Sequence, residues 1–179
     1  MLSSFPGVGR LLYQLEPRSC FVLADKPPTT AGWEKTVIPL EKNRIYHFRL
    51  CANPTKKTGT TLKSERENGL KRNGRRVPLG EGEALSWLRR KLTEAGAEVV
   101  ECRVKRRYEK TGYRQGKRIS FLSMDFVGRL WIRDLSTFQE APRKGFGPAK
   151  AYGHGLLLLR PTDEYVPGVR CSPGGQSGA

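Results

Sequence analysis

An α+β fold of tandem ferredoxin-like (βαββαβ) domains, the first lacking its opening strand and helix, is what this sequence predicts. Three observations carry the prediction. From residue 44 onward the apolar patterns run strand, helix, strand, strand, helix, strand. Residues 81–95 are apolar on one face only, as in a helix laid on a sheet. The first 43 residues offer a hairpin but no opening strand and no convincing first helix, so they read as part of a second such unit.

Residues 10–15 and 20–24 form two short apolar runs with Pro17-Arg-Ser as the turn between them, and Pro27-Pro28 closes the pair. Residues 44–53 alternate well enough for a strand that Pro54 ends. Residues 55–76 contain Asn68-Gly and Asn73-Gly, turn dipeptides that predict a loop or a ragged hairpin. In the helix over 81–95, Leu85, Leu88, Leu92 and Ala95 share a face with Ala84 and Trp87 beside it, and Gly96 is the natural stop. Strands at 99–104 and 119–126 flank a polar tip from Arg106 to Lys117, which together make a long basic hairpin. Residues 130–134 extend the sheet or lead to a short helix near 135–141, and a strand at 155–159 comes last. The expected organisation is a partial first domain over 1–43, a complete one over 44–160, and a flexible Pro-, Gly- and Ser-rich tail over 161–179.

The chain carries 33 Lys and Arg against 17 Asp and Glu, a net charge of +16, which favours a polyanionic partner, nucleic acid first. Residues 55–76 hold Lys56, Lys57, Lys63, Arg66, Lys71, Arg72, Arg75 and Arg76 against two acids. Residues 103–118 hold Arg103, Lys105, Arg106, Arg107, Lys110, Arg114, Lys117 and Arg118 against Glu109 alone. A single basic run is often just solvated surface, but two single-sign runs repel each other unless an anion lies between them. No apolar run reaches transmembrane length and no basic helix has a clean apolar face, so no membrane partner is expected. There is no signal-peptide pattern, and a cytoplasmic location follows. Cys20, Cys51, Cys102 and Cys171 lie far apart without a CxxC pair and read as reduced, mostly buried thiols. With two histidines, neither a metal site nor a cofactor is expected.

The segment 145–159 is the most informative in the chain. Gly145, Gly147, Gly153 and Gly155 punctuate a short basic stretch that runs into Leu156–Leu159. Glycines at that density allow backbone amides to approach a phosphate, and Lys150 among them supplies a cation. Arg143 and Lys144 just before the loop are weaker candidates, and Lys56, Lys71, Arg72, Arg75 and Arg76 form a second basic patch.

Tyr46-His-Phe-Arg-Leu-Cys-Ala-Asn-Pro-Thr-Lys56 resembles the "FRLRANPxK" strand of the CasE family, the CRISPR-RNA-processing endoribonucleases of type I-E Cascade complexes. Arg75-Arg-Val-Pro-Leu79 and Trp87-Leu-Arg-Arg-Lys-Leu92 follow in that family's order, and 145–157 resembles its "GxGPxKxxGxGLL" signature. The match covers roughly residues 5–160. The resemblance implies two ferredoxin-like domains that bind the stem-loop of a CRISPR repeat, with a basic hairpin of the second domain on the RNA stem. It implies metal-independent cleavage at the 3′ base of the stem by attack of the ribose 2′-OH on the adjacent phosphate. It also implies retention with other Cascade subunits, especially the backbone subunit.

One departure stands out. The family's general-base histidine lies on the first helix of the first domain, just upstream of a Phe-Pro pair. Phe5-Pro6 matches that pair, so this sequence is expected to begin after the histidine and to bind the hairpin without cutting it efficiently. His47 alternates with apolar residues on a strand and is expected to be packed, while His154 in the glycine loop is a weak substitute for the base. An RNA recognition motif is the competing reading, because Lys144-Gly-Phe-Gly147 starts like that domain's aromatic strand; Pro148 and Ala151 break the match. A generic basic module for DNA or ribosomal RNA is a third reading that charge alone would allow.

Overall fold

The computed structural model describes residues 11–15, 18–58 and 75–166. Strands β1 (Leu11–Leu15) and β2 (Cys20–Ala24) pair antiparallel as the predicted hairpin. Next come β3 (Arg44–Ala52), β4 (Thr55–Thr58) and β5 (Arg75–Pro78), then helix α1 (Glu81–Glu94). The long strands β6 (Ala97–Arg114) and β7 (Lys117–Ile132), helix α2 (Leu135–Lys144), a 3-10 turn at Lys150–Tyr152 and β8 (Leu157–Tyr165) complete the order.

The main sheet runs β6-β7-β3-β8, each neighbour antiparallel. With α1 and α2 as crossovers, this is the βαββαβ arrangement predicted from residue 44. Tyr46, Phe48 and Leu50 of β3 point to the helix side, as do Met124, Phe126, Leu130 and Ile132 of β7. They meet Ala84, Trp87, Leu88 and Leu92 of α1 and Phe138 of α2 in one core. The alternation along β3 and the one-sided helix pattern are two readings of the same face.

Local signals set the helix ends. Glu83 accepts from the Gly80 amide at the start of α1, and Gly96, at φ +86°, turns the chain after it. Asp134 caps α2 by accepting from the amides of Ser136 and Thr137.

Two expectations change. The stretch 106–117 is not a polar tip but continuous ladder: pairing runs to Arg114↔Lys117 and turns at Gln115-Gly116, both at positive φ. Charged residues on both faces had hidden the alternation there. The final strand continues past residue 160 to Tyr165, which removes 161–165 from the expected tail. Pro161 is tolerated because β8 is an edge strand. The basic run 55–76 does close as a hairpin, β4 with β5, but its turn dipeptides lie outside the described residues, as do Phe5-Pro6 and residues 167–179.

Candidate nucleic-acid interface

The sheet face turned away from α1 and α2 carries the polar chemistry. Along β6 and β7 it presents Arg103, Arg106, Tyr108 and Lys110 opposite Val127, Asp125, Ser123 and Phe121. Lys105, Arg106, Arg107, Lys117 and Arg118 are exposed, so the ribbon is a strip of positive charge. From Arg106 to the turn its length is roughly 30 Å.

The glycine loop lies against this ribbon. Lys110 Nζ donates to the Tyr152 carbonyl at 2.7 Å, Tyr152 packs on Phe121 at 5.2 Å between ring centres, and Tyr13 of β1 donates to the Ala151 carbonyl at 2.9 Å. Residues 150–152 are thus clamped between the first hairpin and the basic ribbon. Half-buried Lys150 takes its position from that clamp.

The four glycines have a structural task in the packing of the loop. All four stand at positive φ. The Gly155 amide donates to Cys51, the Gly145 amide to Ala141 and Pro142, and the Gly153 amide to Lys150, so three of the four amides are engaged within the chain. A Cβ on Gly155 would sit 2.7 Å from the Phe146 carbonyl oxygen, and one on Gly145 would sit 2.9 Å from Leu12 Cδ1. Close packing of the loop on β3 and on the first hairpin requires these glycines.

The remaining basic candidates separate by their partners. Lys56 Nζ pairs with Glu83 at 2.5 Å. Arg143 pairs with Glu140 at 3.8 Å. Lys110 holds the loop through the Tyr152 carbonyl. Arg76 and Lys144 come together with Lys91 and Trp87 around a groove of about 510 Å³ between the two helices and the loop. Arg75 and Arg114 stand on the strands, and Lys71 and Arg72 lie outside the described residues.

The two histidines stand in opposite surroundings. His47 is exposed on the polar face of β3, across from Arg129 and Arg160, not packed. His154 is fully buried, with Nε2 2.8 Å from Ser123 Oγ and its ring edge-on to Phe121. Burial, and then the nearby Lys110 charge, push His154 down from the usual 6.5 to about 4, so it is neutral at pH 7. The unfolded chain takes up this proton below pH 6.5 and the folded chain does not. Stability is therefore fully present above pH 6.5 and declines as pH falls toward 4. In thermal melts across that range, His154→Gln is expected to flatten the decline relative to the parent chain; parallel curves would contradict the assignment. Among the described residues no cluster of His, Cys, Asp or Glu is arranged for a metal ion. Cys20, Cys51 and Cys102 are thiols outside any disulfide, and burial raises Cys51 to about 11. No helix of the described residues is long and apolar enough to cross a membrane.

Residues 8–161 match the family model described as CRISPR associated protein. The chain is 34% identical over 157 residues to the CRISPR system Cascade subunit CasE of Escherichia coli K12, covering 81% of this chain and 76% of that one. It is 31% identical over 135 residues to the CRISPR-associated endoribonuclease Cse3 of Thermus thermophilus, covering 68% of this chain and only 58% of that relative's length. The structure is similar to Thermus thermophilus Cse3 bound to an RNA representing a pre-cleavage complex, with a TM-score of 0.65, 27% identity and coverage of 85% and 78%. It is also similar to the crystal structure of Cas6e from Escherichia coli K-12, with a TM-score of 0.59, 28% identity and coverage of 90% and 88%.

Proposed function

Because the chain belongs to the CasE family of CRISPR-associated proteins, we propose that it binds the stem-loop of a CRISPR repeat and serves in processing precursor CRISPR RNA within a Cascade complex. The observation that supports this most is the β6–β7 ribbon. It is a two-stranded, basic projection, with the loop that bears Lys150 clamped to its flank. The A-form major groove is too deep and narrow for side chains to read, so phosphate contacts and shape dominate on the stem. The family resemblance adds cleavage at the 3′ base of the stem, with the 2′-OH as nucleophile and no metal.

That reaction needs a base to take the 2′-OH proton. Within these 179 residues His154 cannot serve, being buried and engaged with Ser123. His47 is the exposed imidazole, on β3 between Arg129 and Arg160 of the neighbouring strands. The reading is therefore binding by this chain with slow cleavage.

Lys150→Ala is expected to weaken binding of a repeat hairpin several-fold and to lower the slope of log K against log salt by about one. A salt titration of hairpin RNA by fluorescence anisotropy measures both. An unchanged slope and affinity would remove Lys150 from the interface.

A further inference from the structure

A carboxylate is out of place on a face that meets phosphates, yet Asp125 stands in the middle of this one, its side chain 14% exposed. It is held by two donors. Arg106 reaches Oδ2 with Nε at 3.0 Å and Nη2 at 2.9 Å, and the Tyr108 hydroxyl faces Oδ1 at 3.3 Å. Tyr108 also lies under the guanidinium, 5.1 Å from ring centre to Cζ, and contacts Cys51 Sγ at 3.6 Å. Cys51, Asp125 and Arg106 form one cross-strand row over β3, β7 and β6.

The row exists because of a β-bulge. Val104 pairs with Phe126 and Arg106 with Asp125, leaving Lys105 over. In strict alternation Arg106 would share the helix-side face with Val104. The extra residue turns Arg106, Tyr108 and Lys110 to the polar face together. Most other cations of the ribbon end long rotatable side chains. Arg106 has one edge fixed on a carboxylate and its plane fixed on a ring, while its side chain remains 69% exposed.

We infer that Asp125 is a positioning residue that orients Arg106 as a rigid fork toward a pair of acceptor atoms on the RNA stem. The inference rests on the hairpin-binding reading. The ligand chemistry is a bidentate acceptor, two phosphate oxygens of the stem backbone.

The test uses the full 179-residue chain, a labelled repeat hairpin and anisotropy in EDTA. If Asp125 were only local charge, Asp125→Asn would remove a repulsion and tighten binding. The inference predicts the reverse, a loss of about tenfold, the worth of one oriented bidentate contact. In the Arg106→Ala background the same change is expected to move affinity less than about twofold. Arg106→Lys keeps the charge at an exposed site but not the fork, so it is expected to lose nearly as much as Arg106→Ala.

The salt slope reads the ligand: it is expected to fall by about one in Arg106→Ala, and a slope that does not move would overturn the inference. Equal or tighter binding by Asp125→Asn, or full affinity in Arg106→Lys, would overturn the inference. A parent chain that does not prefer the hairpin over unstructured RNA would overturn the hairpin reading, and this one with it.

Discussion

Changing Arg107, Lys117 and Arg118 together to alanine is expected to weaken repeat-hairpin binding by on the order of a hundredfold, at about 1 kcal/mol or more per charge-assisted contact. All three are exposed, and Lys117 and Arg118 flank the turn. Their removal touches no core residue, so the melting temperature should hold. The salt slope should fall by about one for each phosphate that is no longer neutralised. The same triple change leaving affinity within a few-fold would move the RNA off the ribbon. The surviving binding surface would then be sought at Arg76 and Lys144, across the helix-side groove.

Gly155→Ala is expected to act in the opposite way, on stability first. The residue stands at φ +85°, and an added Cβ would press on the Phe146 carbonyl oxygen at 2.7 Å and its nitrogen at 3.1 Å, both backbone atoms. Strain of about 1–3 kcal/mol for the left-handed backbone, with the clash added, gives a destabilisation of about 3 kcal/mol or more, or roughly 10 °C in Tm. Gly116→Ala at the ribbon turn is the control: its φ is +73° but nothing lies within 4 Å of an added Cβ, so it carries the backbone strain alone. Comparison of the two melts isolates the packing part. If Gly155→Ala melted with the parent chain and only RNA binding fell, the glycine would belong to a phosphate cradle after all.

That contrast marks what the sequence could and could not reveal. The βαββαβ order was legible because β3, α1 and β7 each bury one side of a regular period, and a period survives in the letters. The glycines were legible as a special loop, but not what makes them necessary. Leu12 and Cys51 lie far from the loop in the chain and meet its glycines only after folding. The extent of β6 was hidden because Arg107 and Glu109 on one face alternate with Arg106, Tyr108 and Lys110 on the other, leaving no apolar side to follow. The Asp125 site depends on the bulge between Val104 and Arg106, and a one-residue slip has no sequence signature. His47 failed for a related reason: β3 has alternating faces, and the letters do not say which residues of the pair face water.

On the proposed function this chain carries a hairpin-binding surface while its own histidines do not supply the base for cleavage. One gel assay tests it: the 179-residue chain with a CRISPR repeat hairpin in EDTA, beside a strand of the same composition that cannot fold back. The account predicts a shift with the hairpin, a much weaker one with the unstructured strand, and little product over the time a metal-independent processing enzyme would need. Equal shifts with both strands would contradict specific hairpin binding. Rapid cleavage in EDTA, abolished by His47→Ala, would place the missing base on β3.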